Sequence, residues 1–299
     1  MTLVATEQSL SYHILDVFTD RRFAGNPLAV VLGADALSGH QLQQLATEFH
    51  LSETAFPMTP TAPERQSGAD YRLRIFTPEV ELPFAGHPSV GTAWLMHQLG
   101  RTPAGRVRQL CQEGLLPIDV DARSATLTGG APVLSGPIDP TPALAAVGLV
   151  AADLTDQPAR IASTGLAYAV LPVKPNALDR CQPDLATLRT TFAYPHEATG
   201  AYVVAWDALR SRAQARMFAG DVGVAEDPAT GSAALALGVY LGGTGQLSDG
   251  LSEFIVDQGV AMGRPSVLTV SCDVSEGRVT EARVSGEVVH IAEGRIAVP

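Results

Sequence analysis

Short runs of Val, Ile, Leu and aromatic residues alternate with a few stretches of helical periodicity, and turn residues interrupt them roughly every ten positions. Leu28–Leu32, Tyr71–Phe76, Leu116–Val120, Ala201–Ala205 and Phe254–Val256 read as strands. Leu42, Leu45, Ala46 and Phe49 fall on one helical face, and Ser38 with Gln41 three residues on forms a capping box, so a helix is predicted from Gly39 to Phe49. Two more helices are predicted from Pro88 to Gly100 and from Pro228 to about Gly242, because proline suits a first turn whose N–H groups are unpaired. Between Gly129 and Pro142 stand three Gly and four Pro, which exclude a helix or a central strand. The domain boundary is placed there, giving residues 1–128 and 129–299.

The two proline-started helices look related. His87-Pro-Ser-Val-Gly-Thr-Ala-Trp-Leu95 aligns with Asp227-Pro-Ala-Thr-Gly-Ser-Ala-Ala-Leu235, and strands ending Arg74-Ile-Phe76 and Arg216-Met-Phe218 precede them. Phe23-Ala-Gly-Asn-Pro27 echoes Phe84-Ala-Gly-His-Pro88. Chance matching of small residues competes with a duplicated unit, and a second register would set Gly86 opposite Gly231. A single long repeat suits two similar domains, not a solenoid.

Composition narrows the chemistry. The chain has 299 residues, with 31 acids against 20 bases and a net charge of −11, which repels a phosphate backbone; no nucleic-acid partner is expected. Lys174 is the only lysine and lies in a Pro-flanked turn, so imine chemistry has no good candidate, and no Walker loop is present. Cys111, Cys181 and Cys272 are far apart and without His at ligand spacing, which supports neither a disulfide framework nor a zinc site. No basic, apolar leader and no run of ~20 apolar residues is seen. A soluble cytoplasmic protein with no membrane contact is expected.

The helix starts are the natural place for chemistry. Each would present free N–H groups at the positive end of a dipole, and Gly86, Gly91, Gly231 and Ser232 would let a ligand approach the backbone. Two such ends in one cleft would hold a carboxylate or enolate. His87 is a donor or proton carrier or only a cap, Asp227 reads first as an N-cap, and Glu226 beside it must point away or be protonated. By spacing alone Glu53 is a surface carboxylate.

His50-Leu-Ser-Glu-Thr-Ala-Phe56, Phe76-Thr-Pro-Glu-Val-Glu-Leu-Pro-Phe-Ala-Gly-His-Pro-Ser-Val-Gly91 and Glu226-Asp-Pro-Ala-Thr-Gly-Ser-Ala233 resemble the PhzF family of phenazine-biosynthesis-like isomerases. Asp16–Val30 and Gln258–Ser266 are similar too, so the likeness spans nearly the whole chain. His50 stands where that family often has Asn, and Ser89 where Thr is common. The resemblance implies an α/β (α+β) protein of diaminopimelate epimerase-like fold. It would have two pseudo-equivalent domains, each a curved, mostly antiparallel sheet around a central helix, with the last strand crossing back to the first domain. It implies Glu53 as proton shuttle, with His87, Asp227 and Ser232 as catalytic partners. Gly86, Gly231, Thr230 and Ser89 would bind a small carboxylate substrate, with Arg74 or Arg216 adding positive potential nearby. It implies no cofactor, no metal and a homodimer. Related racemases use two cysteines at positions that here look like Gly86 and Gly231, so a single carboxylate working on one face is expected. A non-catalytic binding protein, or an amino-acid or hydroxyproline epimerase or lyase, are the alternatives.

Overall fold

The computed structural model describes residues 8–192, 198–219 and 225–299. The first half runs β1 (Ser9–Val17), β2 (Asn26–Leu32), α1 (Gly39–Phe49), β3 (Glu53–Met58), α2 (Ala62–Gln66), β4 (Tyr71–Phe76), β5 (Glu81–Leu82), α3 (Gly86–Gln98), β6 (Gly105–Cys111), β7 (Gly114–Val120), β8 (Ser124–Thr128) and β9 (Val133–Pro137). The second runs α4 (Thr141–Ala146), β10 (Arg160–Ser163), β11 (Ala167–Pro172), α5 (Leu185–Phe192), β12 (Gly200–Asp207), β13 (Arg212–Ala219), β14 (Glu226–Asp227), α6 (Gly231–Gly243), β15 (Gly250–Gln258), β16 (Ser266–Ser275) and β17 (Arg278–Ala297).

Strand pairing repeats between the halves. β1–β2 is antiparallel, β2–β3 parallel, β3–β4 and β4–β5 antiparallel, β4–β6 parallel, and β6–β7–β8 antiparallel. β10 to β17 follow the same sequence of senses. The halves are joined edge to edge: β8 pairs with Arg283–Glu287 of β17, β9 pairs with β10, and the last part of β17, from Val288 to Ala297, pairs with β1. The fold is thus two similar curved sheets, mostly antiparallel, each closed around one helix.

Those helices are α3 and α6. Gly86–Met96 and Gly231–Gly242 are buried all round, as expected of segments with no polar face. Small residues let the sheets approach: a Cβ on Gly238 would sit 2.5 Å from Cys272 Sγ. Helix α1 instead lies outside its sheet, burying Leu42, Leu45 and Ala46 in a cluster with Phe56 and Phe76, and its Ser38–Gln41 capping box forms in both directions.

Two expectations change. Helix α3 begins two residues before Pro88, which therefore sits third in the helix, where an N–H is still unpaired. Helix α6 begins three residues after Pro228, with Thr230 as N-cap; Asp227 is not a cap but pairs across β14 with Met217. The Gly/Pro-rich stretch contains β9, which pairs with β10 alone among the described strands, an edge position where proline costs no ladder hydrogen bond. Lys174 is exposed and its Nζ donates to the Ala152 carbonyl at 2.8 Å. Among the described residues no helix is long and apolar enough to cross a membrane.

Candidate active site

The starts of α3 and α6 face one another. A Cβ on Gly86 would lie 3.0 Å from Ser232 N and 3.2 Å from Gly231 Cα, so only glycine lets the two backbones come this close. The N-caps, Ala85 and Thr230, make no side-chain cap hydrogen bond. First-turn N–H groups of both helices are therefore free of side-chain caps, and two positive dipole ends meet at one cavity. That cavity is lined on its polar side by Ser52, Glu53, His87, Asp227, Thr230 and Ser232, and on its apolar side by Leu82, Phe84, Leu166, Met217 and Ala219.

Three distant segments bring the titratable groups together. Glu53 opens β3, which is parallel to β2 and places it beside α3. Its Oε2 is 3.4 Å from His87 Nδ1, and the two side chains are 16% and 3% exposed. Asn26, at the start of β2 and fully buried, donates from Nδ2 to Asp227 Oδ1 at 2.8 Å and to the Ala229 carbonyl at 2.9 Å, and lies 3.1 Å from His87 Nδ1. The amide has two hydrogens, so the two shorter contacts take both and Asn26 pins the Asp227 loop against the His87 helix. Thr230 Oγ1 donates to Asp227 Oδ2 at 2.5 Å. Gln258 donates to the Asp227 carbonyl at 2.8 Å and to Thr230 Oγ1 at 3.0 Å, and is itself held by Tyr202 OH at 3.1 Å. Tyr168 OH and Ser232 Oγ are 2.7 Å apart. Glu53 Oε2 and His87 Nε2 are buried without a hydrogen-bond partner among the described residues. Buried polar atoms are normally paired, so both point to a ligand as the missing partner.

Burial sets the charges. Glu53 is pushed well above the ordinary carboxylate value, first by desolvation and then by Asp227. Desolvation also raises Asp227, to about 6, against hydrogen bonds from Thr230, Asn26 and Ser52 that favour its ionised form. His87 falls to about 3 because desolvation outweighs a hydrogen bond with the Pro27 carbonyl. The Glu53–His87 contact is therefore between an imidazole that burial keeps uncharged and a carboxyl group whose proton affinity burial raises, not an ion pair. A carboxyl group with so high a proton affinity is a strong base once deprotonated.

Not every expected residue reaches the cavity. Ser89 is fully buried, donating to the Ala85 carbonyl and accepting from Gln109 Nε2, both at 2.8 Å; it braces the helix start and does not line the cavity. Arg74 and Arg216 add no free positive charge: each is tied by two hydrogen bonds to Glu81 or Glu226 and lies over Phe76 or Phe218. Glu226 thus points away from the cleft, paired to Arg216, which resolves the crowding of two adjacent acids. Cys111, Cys181 and Cys272 are free, buried and shifted upward by desolvation, so none offers a ready thiolate. Asn26, Tyr168 and Gln258 went unread as site residues. Asn26 alone had a signal, standing in the Ala-Gly-Asn-Pro echo of Ala-Gly-His-Pro.

Residues 15–294 match the profile of the PhzC-PhzF family, described as phenazine biosynthesis-like protein. An uncharacterized isomerase of Mesorhizobium japonicum is 34% identical over 311 residues, covering 97% of this chain and all (100%) of that one. The trans-2,3-dihydro-3-hydroxyanthranilate isomerase of Pseudomonas aeruginosa is 33% identical over 292 residues, covering 95% of this chain and 98% of that protein. Among solved structures, a PhzF-family phenazine biosynthesis protein of Bacillus anthracis superposes with a TM-score of 0.85 at 24% identity, over 97% of this chain and 100% of that one.

Proposed function

Because the chain belongs to the PhzC-PhzF family of phenazine biosynthesis-like isomerases, we propose that it moves a proton between two carbons on one face of a small carboxylate substrate, using the Glu53 carboxylate as an acid/base shuttle. One observation carries this reading. Thr54 pairs with Phe76 as Ala201 pairs with Phe218, so the position matching Glu53 in the second half is Gly200. That glycine has no side chain to protonate the opposite face, and a Cβ there would lie 2.3 Å from the Phe218 carbonyl. A two-base epimerase needs a second proton carrier facing the first, and the two helices start at Gly86 and Gly231, which have no side chain to carry one.

The steps follow from the geometry. The substrate carboxylate sits against the free N–H groups of α3 and α6, which attract negative charge without reorganising. Glu53, as carboxylate, takes a C–H proton; the electron pair left behind spreads toward the substrate carboxylate or its conjugated system. Protonated Glu53 then delivers that proton to another carbon, the double bond shifts, and the enzyme returns to its starting state with no cofactor consumed. Each well-placed donor contributes ~3–4 kcal/mol to stabilising the anion. Neutral His87 and Ser232 orient Glu53 and the substrate, while Asp227 is fixed by Asn26 and Thr230. The apolar wall of Leu82, Leu166 and Met217 suits a ring or alkene beside the carboxylate. A cyclic dihydro-aromatic acid, the class acted on by the Pseudomonas relative, fits that lining.

Incubation with such acids in deuterated buffer tests the assignment. Wild-type protein is expected to incorporate deuterium, and Glu53→Gln to lose it by ~10²–10⁴-fold while keeping its fold and ligand affinity. Undiminished exchange in Glu53→Gln would overturn the role given to Glu53.

A further inference from the structure

Away from the cleft, one group of three metal-ligating side chains assembles among the described residues: His13 on β1 with His290 and Glu293 on β17. His13 stands opposite Glu293, and Leu15 stands opposite His290. His13 and Leu15 share a face of β1 because side chains alternate with period two. Their partners therefore face the same way. On a regular strand His290 and Glu293, three residues apart, would point to opposite faces. The register slip between Ile14 and Leu15, which pair with Ala292 and His290, leaves Ile291 as an extra residue and restores both side chains to one side.

The distances are those of a ligand set. His13 Nδ1 is 3.1 Å from His290 Nε2, and Glu293 Oε2 is 3.7 Å from the first and 4.0 Å from the second. With Zn–N bonds of about 2.0–2.1 Å, two tetrahedral imidazole ligands lie about 3.3 Å apart. The histidines are close to that spacing, and the Glu293 side chain, 71% exposed, already lies within 4.0 Å of both. Burial and then His290 lower the proton affinity of His13, with Glu293 opposing and Arg101 reinforcing the shift. Glu293 supplies the negative charge that offsets Arg101.

We propose that His13, His290 and Glu293 form a binding site for a divalent cation of the zinc class, which clamps the last strand onto the first. Two imidazoles and one carboxylate suit Zn²⁺, Ni²⁺ or Cu²⁺ and not Ca²⁺ or Mg²⁺. Three protein ligands leave a fourth position for water on the Glu293 side. The ligands come from residues up to 277 positions apart in hydrogen-bonded contact, so the unfolded chain does not hold them together and the metal stabilises the folded state.

The test uses full-length protein stripped with chelator and moved into metal-free buffer. Zinc titrated by calorimetry should bind one to one and raise the midpoint of thermal unfolding. Cobalt should give the visible bands of a tetrahedral site. His290 is 39% exposed and Glu293 more so, so His290→Ala and Glu293→Gln are expected to fold. Each should weaken zinc binding about tenfold or more and remove the thermal shift, and His290→Ala should lose the cobalt bands. Glu53→Gln should retain all three signals, which separates this site from the cleft. Absence of saturable one-to-one binding, or binding unchanged in His290→Ala, would overturn the proposal.

Discussion

In the first half, Arg74 makes two hydrogen bonds to Glu81 and its guanidinium lies 5.1 Å from the Phe76 ring centre. In the second, Arg216 makes two to Glu226 and lies 5.0 Å from that of Phe218. Five residues past each glutamate a glycine starts a buried 13-residue helix. The scaffold of the two lobes is therefore the same down to single side chains. Several positions that line the cavity are not: Leu82 matches Asp227, Ala85 matches Thr230 and His87 matches Ser232, while Glu53 is matched by Gly200, which does not line it. Residues that hold each lobe together keep their partners because burial and pairing constrain them within that lobe. Residues at the shared cavity are constrained by what the two lobes do jointly, so one lobe brings the Glu53 carboxyl group and the His87 imidazole and the other the Asp227 carboxyl group and the hydroxyls of Thr230 and Ser232.

The comparison breaks first at Glu53. If chemistry is one-sided, no residue of the second lobe replaces it, and the loss of exchange in Glu53→Gln exceeds that of any matched change. Next is the scaffold itself. Removal of Arg216, whose pair is 14% and 15% exposed and which also bonds the Leu178 and Cys181 carbonyls, is expected to cost about 3–5 kcal/mol by leaving Glu226 buried and unpaired. Arg74→Ala should cost less, since its pair is 27% and 26% exposed and lacks the extra contacts to carbonyls. Urea unfolding of the two variants checks the order; equal losses would mean that burial does not set the difference.

A pH test sharpens the asymmetry at the helix starts. His87 binds its proton at about 3 when folded, against an ordinary 6.5, so the unfolded chain takes up the proton first as pH falls. Its contribution to stability is fully present above 6.5 and is lost down to about 3, at ~1.4 kcal/mol per pH unit. Asp227 and Glu53, whose values are raised, act in the opposite sense: they disfavour the folded state as pH rises through their shifted range. Comparing wild type with His87→Gln isolates the imidazole. The stability gap should move by about 2–3 kcal/mol in favour of the variant between pH 6.5 and 4.5, and a gap independent of pH would refute the neutral, buried state of His87. The matching residue Ser232 has no such titration. The smallest effect is expected at Tyr168→Phe, which removes the hydroxyl 2.7 Å from Ser232 Oγ and should cost about 1 kcal/mol, read by the same unfolding assay.

Local signals in the sequence were enough for local features. Helix α1 follows its capping box and apolar stripe residue for residue, because both act within one helical turn. Strand β4 runs from Tyr71 to Phe76 as its alternation predicts. The helix starts were misplaced by two and three residues because proline marks the neighbourhood of a first turn without stating which position it fills. The register between the lobes was legible only as two options. Contact between Gly86 and Gly231 favours the second, and with it the matching of Glu81 to Glu226.

Acidic charge, a single lysine and the three cysteines set expectations only: no polyanion, no imine and no zinc–cysteine site. The motifs carried the family and named Glu53, His87 and Asp227 as candidate site residues. Only the tertiary structure decided that Glu53 is buried, that Glu226 is neutralised while its neighbour Asp227 is not, that Asn26 ties the lobes together, and that His13 meets His290 across the closing strands. Each of those depends on which distant backbone lies alongside. Desolvation and pairing act over a few ångströms in space, whereas the residues responsible are tens to hundreds of positions apart along the chain.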